Sequence, residues 1–223
     1  MIYDYLKIEG KRTSPWVTDK EFNLLFEKIK KKYTLVDIYR CYELWDLVKH
    51  VSKLSEGCFL EIGVWNGGTG TLIAKRAKQL GVKENIYLCD TFKGVVKTNS
   101  EYDDAYYKDG KHSNCCIENV KQILKYFNIE DVKILVGIFP EETKHLFLDK
   151  KIRFCHIDVD IYQSAKDILN YIWPMIIPGG IVVYDDYGFE KCCGIEKHIQ
   201  EISSDKDKII IYNLNGHVII YKI

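Results

Sequence analysis

Four carboxylates stand in two short motifs: Asp158 and Asp160 in RFCHIDVDIYQS, and Asp185 and Asp186 in PGGIVVYDDYG. Each pair closes a run of strand-forming residues. Ligands of open parallel sheets bind beyond the carboxyl ends of the strands, so two neighbouring strands would bring all four acids to one crevice. Carboxylates at close range raise one another's pKa. A divalent cation is the simplest resolution, and an all-oxygen donor set suits Mg2+. Asp158, Asp185 and Asp186 are read as metal ligands. Asp160, two residues after Asp158 and on the same side of an extended chain, is read as a base beside the metal. The plain structural alternative is that the acids cap helices and turns.

A second constellation lies upstream. Cys58 to Val64 (CFLEIGV) reads as a short buried strand that runs into WNGGTGTLIAKRAKQLG, a glycine-rich turn and a helix. Gly63, Gly67, Gly68 and Gly70 allow positive φ and close backbone approach, and the helix N-terminus offers N–H groups to a polar ligand. The next strand, Ile86–Cys89, ends at Asp90. An acid there is placed to hold ribose hydroxyls. Strand, turn, helix, strand and acid form one βαβ unit with the logic of a nucleotide-like cofactor site. The glycines alone do not separate NAD from S-adenosylmethionine. A tight turn and a capping Asp90 are the plain readings.

The elements that position these residues follow from periodicity. Thr18 or Asp19 is placed to cap a helix over EFNLLFEKIKKKY, with Phe22, Leu24, Leu25, Phe26 and Ile29 as its apolar face. A second helix carries Leu44, Trp45, Val48 and Val51. These helices, residues 1–56, are expected to cover one edge of the domain, form a lid or pair two subunits. Residues 57–223 form the α/β domain. Residues 97–114 are polar and aperiodic, a flap over the substrate from which Tyr102, Tyr106, Tyr107 and His112 could reach an acceptor; a disordered loop fits the same pattern. Further helices are predicted over Ile117–Phe127, Tyr162–Trp173 and Gly194–Ile202, and strands over Lys133–Val136, Ile152–Ile157 and Ile181–Tyr184, the last after a Pro178–Gly180 turn. KIIIYNLNGHVIIYKI is a hairpin turning at Asn215–Gly216. The alternation predicts a mainly parallel α/β sheet with an antiparallel addition at the C-terminus.

Composition narrows the classes. The 223 residues carry 32 Lys+Arg against 32 Asp+Glu, so no net basic character points to nucleic acid. An apolar fraction of 47% supports a globular core. No apolar run is long enough to span a membrane, the first residues lack a signal-peptide core, and a cytoplasmic protein is expected. The eight cysteines form no CxxC pair; free thiols are expected in a reducing compartment, and a structural zinc site lacks its ligand spacing.

Four stretches together resemble the macrocin O-methyltransferase family of class I S-adenosylmethionine-dependent methyltransferases. EIGVWNGGTG resembles the family's cofactor turn, CDTF its second-strand motif, HIDVDIYQS its DxDxY stretch and PGGIVVYDDYG its PGG…DDYG. The resemblance covers most of 57–223. It implies a Rossmann-like, mainly parallel seven-stranded sheet with an antiparallel C-terminal strand, S-adenosylmethionine as cofactor, and methyl transfer to a sugar hydroxyl. Carried over by position, it assigns Mg2+ to Asp158, Asp185 and Asp186, the base to Asp160, and cofactor contacts to Glu61, Gly63, Gly67, Gly68, Asp90 and Thr91. The family's Arg in WRGG is Asn66 here, which puts a contact at the cofactor's polar end, or one between subunits, in question.

The implied substrate is a small glycosylated molecule or a surface-polysaccharide precursor, with neither nucleic acid nor membrane as partner. The N-terminal helices are a candidate homodimer surface. Three alternatives stay open: a catechol-type metal-dependent enzyme acting on a phenol, an NAD-dependent dehydrogenase, and a non-catalytic cofactor-binding protein. The dehydrogenase would explain the glycines and Asp90 but not the four acids.

Overall fold

The computed structural model describes residues 14–148 and 151–223. Six α-helices and seven strands are found among them: α1 (Lys20–Ile29), α2 (Ile38–Val51), β1 (Cys58–Ile62), α3 (Gly68–Gln79), β2 (Ile86–Asp90), α4 (Ile117–Tyr126), β3 (Val132–Val136), β4 (Ile152–Ile157), α5 (Tyr162–Ile172), β5 (Ile176–Tyr184), α6 (Cys193–Ile202), β6 (Lys208–Tyr212) and β7 (Val218–Lys222). The strands form one sheet in the order β3-β2-β1-β4-β5-β7-β6. The first five are parallel; β7 runs antiparallel to β5, and β6 to β7. The chain builds outward from β1 to β3, then returns to β4 on the other side of β1. That reversal opens a crevice at the carboxyl ends of β1 and β4.

Alternation along the strands makes two cores. Phe59, Phe154, Ile181, Val183 and Ile219 face the side of α1, α2, α3 and α4. Leu60, Ile62, Cys155, Ile157, Val182 and Tyr184 face the side of α5 and α6. Both faces are covered, so the central strands are mostly apolar on both sides, as parallel strands require. The Asp19 side chain caps α1 by accepting from the Phe22 N–H at 3.0 Å. Phe22, Leu25 and Ile29 are buried, with Phe22 edge-on to Trp45 of α2. Burial of one such side chain is worth about 1.5–3 kcal/mol. α2 packs on α3 and reaches β4 and β5, so the N-terminal helices lie across a face of the sheet and share its core.

Three local expectations need correction. α1 stops at Ile29 and its basic continuation turns away: Lys31 has φ 66°. Leu24 lies off the apolar stripe and is exposed. Pro178–Gly180 does not end a turn before the strand but lies inside β5, where a register shift between Ile152 and Phe154 absorbs it. The terminal hairpin turns where expected, Gly216 donating its N–H to the Asn213 carbonyl at 3.1 Å.

Candidate active site

The crevice is a cleft of about 490 Å³ in the size range of small-molecule sites. Its floor is the carboxyl edge of β1, β2, β4 and β5, and Gly63, Asp90, Thr91, Asp158, Asp160, Asp185 and Asp186 all line it. All four acids therefore share one wall. One oxygen each from Asp158, Asp185 and Asp186 lie within 4.8 Å of one another. None of the four caps a helix: the N-caps of α5 and α6 are Ile161 and Cys192, without side-chain cap bonds. The α5 N-terminus is served by the 97–114 loop, where Asp103 accepts from the Tyr162 N–H at 2.8 Å.

Asp160 reaches the cleft by a route different from the expected extended chain. It sits in the left-handed region with φ 65°, a conformation that Asp tolerates. Its N–H donates to Asp186 Oδ2 at 3.0 Å, which locks the two acid pairs together. Burial raises the Asp160 pKa, opposed by a hydrogen bond from Tyr107 and by the charges of His112 and Lys111. Burial and the neighbouring carboxylates push Asp158 and Asp186 well above the usual carboxylate range. Asp185 moves the other way. Against the cost of burial, Arg40 and the two histidines His156 and His217 hold it well below that range. The Arg40 guanidinium pairs with Asp185 Oδ2, while His217 Nε2 meets Oδ1 at 2.9 Å.

The residues present fit a divalent cation. The donor set is all oxygen, and no hydrogen-bond donor among the described side chains reaches the Asp158 carboxylate. In two of the three, Asp158 and Asp186, burial and the neighbouring carboxylates penalise the ionised form, a penalty that a cation would offset.

The glycine turn is built more tightly than the sequence implies. A Cβ on Gly63 would lie 1.6 Å from the Asp158 carbonyl oxygen, so β1 and β4 can approach only with glycine there. Gly67 has φ 89° and packs on Val120; Gly68 packs on Tyr33 and Thr34 and donates its N–H to the Tyr33 carbonyl at 2.8 Å. That helix-terminal donor thus serves the α1–α2 connection. Gly67, Gly68 and Glu61 lie behind the cleft wall. Glu61 is 1% exposed and binds His156 Nδ1 at 2.9 Å. Asp90 braces the turn: its Oδ2 accepts from the Val64 and Trp65 N–H groups at 2.7 Å each, and Oδ1 from Phe92 at 2.6 Å. Thr91 Oγ1 donates to the Gly94 carbonyl at 3.0 Å. Asn66 points away from the cleft and accepts from Cys116 N–H and Asn119 Nδ2, holding the start of α4.

The 97–114 loop contains no helix or strand, yet it is tied down. Lys97 bridges Glu141 and Asp167, and Ser164 Oγ donates to the Val96 carbonyl at 3.1 Å. Tyr106, Tyr107 and His112 line the cleft; Tyr102 instead stacks on Tyr162 at 4.5 Å. All eight cysteines are free. Cys192 stands beside Asp160 and Asp186, but burial and those carboxylates push its thiol up, which leaves it a poor nucleophile. Arg40, His156, His217 and Glu43 are the components that sequence reasoning did not find.

A family model described as Macrocin-O-methyltransferase (TylF) matches residues 24–210. The chain is 26% identical over 171 residues to 8-demethyl-8-(2,3-dimethoxy-alpha-L-rhamnosyl)-tetracenomycin-C 4'-O-methyltransferase of Streptomyces olivaceus, a match covering 72% of this chain and 64% of that protein. It is also 26% identical over 167 residues to demethyldecarbamoylnovobiocin O-methyltransferase of Streptomyces niveus, covering 70% and 62%. The chain thus spans somewhat under two thirds of these relatives' length. Among solved structures, the O-methyltransferase NovP superposes with TM-score 0.69 at 21% identity over 85% of this chain and 82% of that one. The fold is that of the Rossmann-like class I O-methyltransferases. No helix among the described residues is long and apolar enough to cross a membrane.

Proposed function

The chain belongs to the macrocin-O-methyltransferase family, and from that premise we propose that it transfers a methyl group from S-adenosylmethionine to a sugar hydroxyl of a small glycosylated molecule, with Mg2+ at the acid cluster. The observation that carries this reading is the meeting of four carboxylates with the Gly63–Trp65 turn and Asp90 in one cleft. The names of both relatives speak of O-methylation, and that of the first of a rhamnosyl compound, which supports an alcohol as acceptor.

S-adenosylmethionine, when bound, supplies an electrophilic methyl group, and Mg2+ a Lewis acid that lowers the pKa of a neighbouring hydroxyl. The protein does the rest by placement. The turn held by Asp90 gives the cofactor a rigid wall. Asp158, Asp185 and Asp186 would hold the cation beside the acceptor hydroxyl. Asp160 takes the hydroxyl proton as the C–O bond forms and the methyl–sulfur bond breaks, with S-adenosylhomocysteine as the leaving thioether; the raised pKa suits it to that task. In-line approach of oxygen and methyl carbon is a matter of fixed geometry. Tyr106, Tyr107 and His112 contact the acceptor from the loop above.

Calorimetric titration of S-adenosylhomocysteine, with and without Mg2+, is the direct test. Binding in the micromolar range is expected, and loss of it in Asp90→Ala. Absence of binding to the folded wild-type protein in both conditions would sink the methyltransferase reading.

A further inference from the structure

Asp185 is the acid whose orientation the protein fixes most completely. It is 3% exposed, and each of its oxygens faces a different anchor. Arg40 holds Oδ2, and is itself held by Asp37 through Nε at 2.8 Å. His217 holds Oδ1, with its other ring nitrogen, Nδ1, 2.6 Å from Glu43 Oε2. The ring is thus held at both nitrogens, between Glu43 and Asp185. Sheet register explains the meeting: Tyr184 of β5 pairs with Val218 of β7, so the next step beyond the strand ends sets Asp185 against His217. Glu43 gathers more of the hairpin turn, accepting from Asn213 Nδ2 and, at 3.0 Å, from Asn215 Nδ2. Arg40 and Glu43 are one turn apart on α2. One helix therefore reaches both sides of a single carboxylate, once directly and once through the terminal hairpin.

We infer that Glu43 and His217 are positioning residues, a relay that fixes the Asp185 carboxylate for the cation and so couples the metal site to the docking of α2 and the hairpin turn. The inference rests on the metal-assisted reading above. Its physical basis is that a carboxylate bound on one side by an oriented histidine loses its rotational freedom before the cation arrives. Partners of this kind, one step removed from a metal, typically change metal affinity about 10–100-fold when lost. A network that served only to anchor α2 would affect stability and leave the cation unaffected.

The test is Mn2+ binding by electron paramagnetic resonance on wild type, Glu43→Gln, His217→Phe and the double variant, with S-adenosylhomocysteine binding measured in parallel. Each single variant is expected to weaken Mn2+ about 10–100-fold while the nucleoside affinity stays unchanged. The double variant is expected to be no weaker than His217→Phe alone, because Glu43 acts through the histidine. Unchanged Mn2+ affinity in folded variants, or additive losses, overturns the relay; so does a wild-type protein that binds S-adenosylhomocysteine but no Mn2+. Should His217→Phe fail to fold, the loss in Glu43→Gln decides alone. Failure of the methyltransferase reading shows separately, as wild type that binds no nucleoside.

Discussion

Two buried histidines lie on opposite faces of the same sheet and have opposite chemistry. His156 of β4 is fully buried between Glu61 and Asp185. Burial works to lower its pKa, but the two carboxylates outweigh burial and push it up to about 9. His198 of α6 is 1% exposed and packs against Tyr184 and Tyr162, its Nε2 3.2 Å from the Tyr184 hydroxyl. There burial dominates, and its pKa falls to about 4. The first histidine belongs to a face that carries Glu61, Asp185, Arg40 and His217 inside the protein; the second is held neutral by burial and packs against Tyr162 and Tyr184. Buried charge is expensive unless paired, so the network of Glu61, His156, Asp185, Arg40 and His217 beneath α2 marks where the molecule uses it. Substitutions on the two faces should therefore differ: on the charged face they should cost activity and charge balance, on the neutral face stability alone.

The largest effect is expected at Asp160, the one acid of the cluster whose backbone is in the left-handed region. Asp160→Asn keeps size and shape and removes the proposed proton acceptor. Turnover should fall about 10²–10⁴-fold, the usual worth of a positioned general base, with S-adenosylhomocysteine affinity unchanged. Retained turnover would remove the base role and leave Asp160 as a brace for Asp186.

A smaller but still large cost is expected at Arg40. Arg40→Met leaves Asp185 buried with histidines as its only partners, and breaking a buried pair costs about 3–5 kcal/mol. Urea unfolding would read it. The sharper version adds Asp185→Asn: with the charge gone, the double variant should regain most of the lost stability. If it does not, Arg40 stabilises α2 by packing, through its stacking on Phe189 at 4.5 Å, and the charged face is less special than its composition suggests.

Arg40 also shows how far the sequence could be read. The βαβ alternation, the glycine turn and the two acid pairs all involve local spacing, and they located β1, β2, β4, β5 and the cleft wall. The relay involves no local spacing. Arg40 heads the stripe Leu44, Val48, Val51 on α2, all three buried, so a cation at a core position was visible as a discrepancy. What it pairs with was not, because Asp185 is 145 residues away. Glu61 and His156 likewise stand in otherwise apolar strands, and only the register of β1 against β4 sets them side by side. The cofactor turn erred in the other direction. Its glycines read as space for a ligand, but at Gly67 and Gly68 the neighbours are Val120, Tyr33 and Thr34 of this same chain.

The neutral face offers the smallest effect and the cleanest sign. In the unfolded chain His198 has its ordinary pKa of 6.5, against about 4 in the fold. Between those values the unfolded state takes up a proton that the folded state refuses. Stability therefore rises with pH from about 4 to 6.5 and is lost as pH falls through that window. The full difference is about 3 kcal/mol on the linkage relation. His198→Gln keeps a polar partner for the Tyr184 hydroxyl and removes the titration. From pH 7 to pH 4 the urea midpoint of wild type should fall relative to that of the variant, because only wild type carries the histidine's penalty. Methyl transfer at pH 7 should be unchanged in the variant, since His198 touches neither the cleft nor the relay. Parallel midpoints across the window would mean that His198 gains a proton at little cost, and the contrast between the two faces would then lie in their carboxylates alone.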